Sequence, residues 1–478
     1  MTSHPSRTAI LWFRQDLRLH DNEALTEAIQ LCDNIIPVYV FDERLFQTTD
    51  RYKFAKTGPY RARFIWESVI ELRKNLLKKG SDLIIRWGKP EEEVLHIANT
   101  MKSNWVLCNR ERTKEEVEVQ DALEQNLWAI GQELRYYRGK MLYYTADLPF
   151  PVPQTPDIFT QYRKETEKVV SVRAPLEPPT QIHSQFNDLP KGEMPPLDKL
   201  QGENANKEMD DRAAYLFPGG ESAGLARLHE FIWETNAIAT YKKTRNELLG
   251  KDFSSKFSAY LAQGCLSPKK IYEEVEKYEQ QVEKNNSTYW IKFELMWRDF
   301  YRLMAKKYTD KIFHFGGPKS EPPEKALENW ERFNAWAEGR TGIPFIDANM
   351  REINETGYMS NRGRQNVASY LIKDLQVDWR MGAEYFESLL IDYDPASNYG
   401  NWNYLAGVGS DPMENRYFNI LSQGRRYDSN GEYVRHWLPE LDNFKGGDVH
   451  TIYDLSESEW TENQLHINYN RPLIQPDW

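Results

Sequence analysis

The chain has 478 residues, 40 % hydrophobic and 28 % charged, which is enough for two domains with real cores and excludes a disordered or membrane-embedded class. Three widely spaced cysteines give neither a disulfide framework nor a metal spacing, and the nine histidines form no HExxH or HxH pair, so a catalytic metal is not expected. A net charge of −11 argues against whole-surface attraction to nucleic acid but leaves room for a local basic patch, and the lack of a signal-like leader leads us to expect a cytoplasmic protein.

From the N-terminus, short apolar runs alternate with amphipathic stretches. Ala9–Phe13, Ile35–Phe41, Leu83–Trp87, Trp105–Cys108 and Leu134–Tyr137 predict strands buried on both faces. Asn22–Leu31, Tyr60–Lys79, Pro90–Met101 and Thr113–Ile130 predict the helices between them. This order implies an α/β N-terminal domain, residues 1–140, built on a doubly wound parallel sheet. Such sheets bind ligands beyond the carboxyl ends of their strands, here the tips after Phe13, Phe41 and Cys108. Residues 141–210 are rich in proline and predict a connector over the surface. Residues 211–478 predict an all-α domain, with helices at Glu221–Glu234, Lys256–Ala262, Pro268–Lys284, Ser287–Tyr308, Glu324–Glu338, Ile346–Glu355, Asn361–Lys373 and Ala383–Ile391.

Between Arg340 and Tyr404 the polar residues gather in a way that points to a site. Asn361, Arg364 and Gln365 stand at i, i+3 and i+4, so a helix aims them one way. Asp392, Asp394 and Asn398 follow in a proline-containing loop, then Trp402. A cation, carboxylates and carboxamides beside aromatic rings suit a large, planar, partly charged ligand. On the helix before them, Glu294, Trp297, Arg298 and Tyr301 share a face, which reads either as a cleft wall or as a buried Glu–Arg pair. Ser254, Ser255, Lys256, Phe257 and Ser258 put hydroxyls and a cation ahead of a helix, which suits a diphosphate cradle or simple N-capping by Ser254 or Ser255. Tyr241 and Arg245, on one helix face upstream, could close the same anion site.

These residues lie within ordered motifs that closely resemble the photolyase/cryptochrome flavoproteins. LWFRQDLRLHDNEAL, FPGGESAGLARL, SSKFSAYLAQGCLSP, FELMWRDFYR, TGIPFIDANMRE, SNRGRQ and GNWNY occur in the family's order over essentially the whole chain. Gly363-Arg364-Gln365 and DYDPASNYGNWNY are similar to the cryptochrome DASH branch. The resemblance implies a U-shaped FAD in the helical domain, held by Tyr241 and Ser254 to Ser258, with Arg364 paired to Asp392, Asp394 alongside and Asn398 facing the flavin N5. A pocket of Glu294, Trp297, Asn361, Gln365 and Tyr404 would take a flipped pyrimidine dimer, with Glu294 protonated so that it can donate. Excited, reduced flavin would lend the dimer an electron that splits the cyclobutane ring and then returns.

Members that repair duplex DNA carry methionine at the Gln365 position and tryptophan at the Tyr404 position. The pair seen here makes a wetter pocket with weaker stacking, so repair mainly in single-stranded DNA is expected, with RNA or duplex bound weakly if at all. Trp402 and Trp379 match the inner and middle members of the family's reducing chain, but the outer position falls on Ala326, and Trp330 is its candidate substitute. Glu111 matches the carboxylate that meets the pterin of a methenyltetrahydrofolate antenna; on residue type alone it reads equally as a surface glutamate on a strand-end loop. Arg245, Arg298 and Arg362, with Arg425 and Arg426, are candidates for DNA phosphates. The expectation is a monomeric, light-driven repair enzyme. The alternative is a blue-light photoreceptor acting through flavin redox change, disfavoured by the absence of a long tail after Trp478.

Overall fold

The computed structural model describes residues 7–187, 189–202, 207–323, 325–413, 416–476 and 478. Five parallel strands, β1 (Thr8–Phe13), β2 (Asn34–Asp42), β3 (Ile84–Gly88), β4 (Trp105–Asn109) and β5 (Glu133–Tyr137), form one sheet in the order β3-β2-β1-β4-β5. The apolar runs make the strands because both faces are covered: Ala9, Ile10, Leu11 and Phe13 are all buried, with Leu11 paired to Pro37 on one side and Leu107 on the other. The covering helices are α1 (Glu23–Leu31), α2 (Pro59–Lys78), α3 (Pro90–Met101) and α4 (Lys114–Ala129). Each starts where local chemistry allows. Asn22 caps α1 from its side chain, Pro59 and Pro90 occupy first-turn positions, and Thr113 with Glu116 forms a capping box on α4.

The strand order reverses between β1 and β4, where an open parallel sheet leaves its ligand crevice. In this protein the strand tips there are already engaged. Asp16 accepts from the Arg14 backbone N–H (2.7 Å) and from Asn109, while the Arg14 guanidinium donates to Gln120 Oε1 (2.9 Å). At the Phe41 tip, Asp42 and Glu91 grip Arg44 at 2.8 and 2.9 Å.

The proline-rich stretch does more than connect. It contains α5 (Phe159–Val169) and the short helix Leu197–Gln201, neither anticipated from the sequence. Phe159 and Tyr162 of α5 belong to one buried apolar cluster that runs from Leu11 and Phe13 of the sheet to Phe300 and Leu303 of the helical region. The helices that matter for the site are α6 (Asn286–Tyr308), α7 (Trp330–Ala337), α8 (Pro344–Thr356), α9 (Asn361–Ser369), α10 (Trp379–Leu389) and α11 (Pro395–Ala406). The helix predicted from Glu324 begins at Trp330, residue 324 itself lying outside the described residues.

One prediction is corrected with consequences for the site. The stretch read as a proline-containing loop around Asp394 and Asn398 is the start of α11. Asp394 is its N-cap, its side chain accepting from the Ser397 backbone N–H at 2.8 Å, and Pro395 is the first helical residue. A proline at that position costs no hydrogen bond, so it opens the helix instead of breaking it. Gly407, at φ 78°, closes the helix in a left-handed turn that favours glycine. Helices at Ile420–Tyr427, Glu432–Trp437 and Glu457–Glu462 also went unpredicted.

Candidate functional site

A cavity of about 300 Å³ opens among α6, α9, α10, α11 and the 254–258 loop. Tyr241, Ser254, Ser255, Lys256, Phe257, Ser258, Arg364, Asp392, Asp394, Asn398 and Trp402 all line it, so residues predicted from four separate stretches converge. The loop turns at Lys256, whose φ is 61°. Its ammonium is buried over the Phe253 ring and, among the described residues, donates only to hydroxyls, Ser254 Oγ at 3.1 Å and Tyr358 at 3.3 Å. Burial drives its pKa well below the ordinary lysine range. A buried cation held by hydroxyls alone calls for an anion. The capping alternative for Ser254 and Ser255 is not realised: the following helix, Ser258–Ala262, has Phe257 at its cap without a side-chain bond. The serine hydroxyls are therefore not committed to the helix.

Opposite the loop stand two aspartates. Asp392 Oδ2 accepts from Arg364 at 2.8 Å, while its Oδ1 is buried with no partner among the described residues. Arg364 is steadied by a second bond, Nε to the Met359 carbonyl at 2.9 Å. Asp394 Oδ2 accepts from Arg302 at 3.0 Å, and Arg302 reaches Glu111 at 3.0 Å, which in turn holds Lys140 at 2.5 Å. Burial raises the carboxyl pKa of Asp394, but Arg302 and Arg298 outweigh it and hold the group below the usual range. Asn398 is pinned by its Nδ2 on the Ala383 carbonyl of α10 at 3.0 Å.

Arg302 was missed by sequence reading. It follows Arg298 by four residues and Glu294 by eight on the same helix, a spacing that could have found it. Glu111 is no surface glutamate. It is 1 % exposed and sits inside this buried ionic chain, which ties the sheet's switch point to the wall of the cavity.

A second cavity, of about 460 Å³, adjoins the first and shares Arg245, Glu294, Arg298, Asn361, Gln365, Ser397, Asn401 and Leu405 with it. Trp297 and Tyr404 line only this outer space. The Trp297 ring stacks on Phe159 at 3.7 Å and 11°, so α5 of the connector covers one of its faces. Tyr404 meets it edge-on at 6.3 Å. Gln365 Oε1 is buried without a partner among the described residues. Burial raises the pKa of Glu294, against the pull of Arg245 2.9 Å away.

Two of the arginines expected at DNA phosphates have internal partners. Arg245 is engaged by Glu294, and Arg298 spends its guanidinium on the carbonyls of Lys140 (2.6 Å) and Leu261 (3.1 Å). A charge on a helix face finds whatever acceptors tertiary packing brings, and here these are internal. Arg362 stays at the rim, stacked on Tyr427 (4.6 Å) and bonded to Asn246 (3.0 Å), with Arg425 and Arg426 exposed on the neighbouring helix. Of the tryptophans, Trp402 and Trp379 are buried, and Trp330 is 43 % exposed.

Residues 9–181 match the family model described as DNA photolyase, and residues 290–477 match the FAD binding domain of DNA photolyase. A cryptochrome DASH from Danio rerio is 47 % identical over 99 % of this chain and 91 % of its own length. The chain belongs to the photolyase/cryptochrome family, in its cryptochrome DASH branch. The crystal structure of a Synechocystis sp. PCC6803 cryptochrome superposes with a TM-score of 0.95 at 45 % identity, covering 99 % of this chain and 98 % of that one. A class III photolyase from Agrobacterium tumefaciens gives 0.85 at 27 % identity, over 99 % and 95 %. The inner cavity suits the FAD of this family: Lys256 offers a buried cation to a diphosphate, and the orphaned Asp392 Oδ1 offers an acceptor to a ring donor.

Proposed function

We propose that this cryptochrome DASH protein is a blue-light-dependent enzyme that splits cyclobutane pyrimidine dimers, mainly in single-stranded DNA. The observation that carries the proposal is the wall common to the two cavities, in which Glu294, Asn361 and Gln365 face both the cofactor space and the space open to a substrate. FAD, when bound, supplies the light-driven electron that opens the cyclobutane ring and takes it back.

The chain's own groups do the rest. Lys256, with Ser254, Ser255 and Ser258, neutralises and orients the diphosphate. Arg364 and Asp392 hold a fixed charge pair that would meet the ring system, and Asn398, anchored on Ala383, would present it a carboxamide of set orientation. Glu294, its carboxyl pushed toward the protonated form by burial, donates to a carbonyl of the dimer. Trp297 offers its one uncovered face for stacking. Gln365 and Tyr404 put a carboxamide and a phenol where an apolar pocket would stack more strongly. Little energy is then available to unpair a base, a cost that single strands avoid.

Arg362, Arg425 and Arg426 supply the basic rim for backbone phosphates. A methenyltetrahydrofolate antenna belongs to the same proposal: Glu111 lies at the sheet's switch point, and a carboxylate has about four lone-pair sites, of which Lys140 and Arg302 take two. We place the protein in the cytoplasm as a monomer; no helix among the described residues is long and apolar enough to cross a membrane.

The test is the absorption spectrum of the purified protein followed by light-dependent repair of matched single-stranded and duplex substrates. Flavin absorbance and faster single-strand repair are expected. Equal rates would overturn the strand preference, and no repair of either would overturn the enzymatic reading.

A further inference from the structure

Trp297, the ring on the outer cavity's wall, is held differently from the buried indoles Trp336 and Trp379. Those two are pinned by their N–H groups on the carbonyls of Val367 (2.9 Å) and Phe315 (3.0 Å). Among the described residues the Trp297 N–H has no acceptor, so packing orients this ring. Its neighbours act unequally. Phe300 and Tyr404 meet it edge-on at 5.7 and 6.3 Å, and Tyr301 lies tilted at 5.4 Å. Phe159 lies parallel to it, with 3.7 Å between centroids and 11° between planes. Contact that close leaves the indole no room to tilt away from the cavity.

Phe159 is itself fixed. It is 4 % exposed, with Phe293 edge-on at 5.1 Å and Phe300 edge-on at 5.6 Å. The connector that carries it is fastened to α6 on both sides. Ahead of Phe159, Asp157 accepts from Lys307 and from the Tyr308 hydroxyl, both at 2.6 Å, and Lys307 also donates to the Thr155 carbonyl at 2.8 Å. Behind it, Arg163 donates to the Tyr289 hydroxyl at 2.7 Å, which donates to Glu167 at 2.8 Å. The two clasps grip α6 near its opposite ends, and Trp297 lies between them.

We propose that Phe159 is a positioning residue for lesion recognition: it holds the plane of Trp297, so that the open face of the indole meets a flipped pyrimidine already in place. The inference rests on the reading of the outer cavity as the lesion pocket. A platform ordered beforehand loses no rotamer freedom when the base stacks on it, so more of the stacking energy appears as affinity. Leucine at this position would fill the space without a flat surface, and the indole would rock about its side-chain bonds. The proline-rich connector, whose residues line neither cavity, thereby takes part in choosing the substrate.

The experiment uses the FAD-loaded protein in the dark, with a single-stranded oligonucleotide carrying one thymine dimer and its undamaged counterpart. Fluorescence anisotropy reads both dissociation constants. In F159L the constant for the dimer strand is expected to rise about tenfold, inside the range that base–aromatic stacking spans, while that for the undamaged strand stays as in the wild type. A purely structural role would lower the fraction of protein able to bind, not the affinity of the rest. The double variant F159L/W297A is expected to bind the dimer no more weakly than W297A, because Phe159 acts through the indole. F159M, which fills the space with a flexible chain, gives the same readout if F159L does not load FAD. Wild-type affinity for the dimer in loaded F159L or F159M, or a further tenfold loss on the W297A background, would overturn the role of Phe159 alone. A wild-type protein that binds both strands equally would overturn the lesion-pocket reading and the role with it.

Discussion

Around the inner cavity the aspartates have cations of their own: Asp392 has Arg364 at 2.8 Å and Asp394 has Arg302 at 3.0 Å, with the two carboxylate side chains only 4 % and 5 % exposed. Around the outer cavity, Glu294 has Arg245 at 2.9 Å with a third of its side chain in solvent, Gln365 Oε1 has no partner among the described residues, and Asn361 is exposed. The inner wall's aspartates are paired before any ligand arrives, with Lys256 and Asp392 Oδ1 left to meet it, which suits a group that stays. The outer wall keeps polar groups in reserve and suits one that comes and goes.

The comparison can be broken or sharpened by mutation, the largest effect coming from the inner wall. Arg302→Met removes the cation bonded to Asp394 and takes one from Glu111. Breaking such a buried pair typically costs about 3–5 kcal/mol, whereas the half-open Arg245–Glu294 pair is worth at most about 1 kcal/mol. Denaturant midpoints of R302M and E294Q should therefore differ widely, and similar losses would erase the distinction between the walls. Next comes Gly382→Ala. A Cβ at that position presses on Cη2 of Trp402, and overpacking of this kind costs about 1–3 kcal/mol. FAD retained on gel filtration should fall, and undiminished retention would show that the inner wall yields more readily than its packing implies.

On the outer wall, the double substitution Gln365→Met and Tyr404→Trp should raise duplex repair without altering the flavin spectrum. Base–aromatic stacking is worth roughly 1–3 kcal/mol, so a gain of about tenfold is expected from the lower half of that range. An unchanged ratio of duplex to single-strand rates would remove these two residues as its cause. The smallest effect is on pH. The Glu294 carboxyl is raised above its ordinary value, so its protonated form persists to higher pH than in a free glutamate. Repair that uses it as donor should be full at low pH and decline as pH rises through that raised pKa. In E294Q the decline should vanish, and a surviving decline would place the titration elsewhere.

The sheet was legible because strands covered on both faces are written as continuous apolar runs, and Asn361, Arg364 and Gln365 were legible because helical spacing alone aims them together. What escaped was decided by tertiary partners. Helical spacing allowed Glu294 a pair with Arg298, but the folded chain gives it Arg245 instead and leaves Arg298 to two backbone carbonyls. Glu111 gives no sign in its own stretch that Arg302, 191 residues on, will bury it. Phe159 lay in a stretch whose prolines masked a helix, so the backing of Trp297 was invisible.

Arg302 also imposes an order on how the molecule comes into being. The sheet, with Glu111 and Lys140, leaves the ribosome first, and domains tend to fold from the N-terminus as they emerge. Arg302 therefore meets a waiting acidic partner, and Asp394, 92 residues later, arrives to take its other arm. Competence to take the cofactor is thus among the last properties a nascent chain acquires, and it depends on a sheet whose own residues do not line the cofactor cavity.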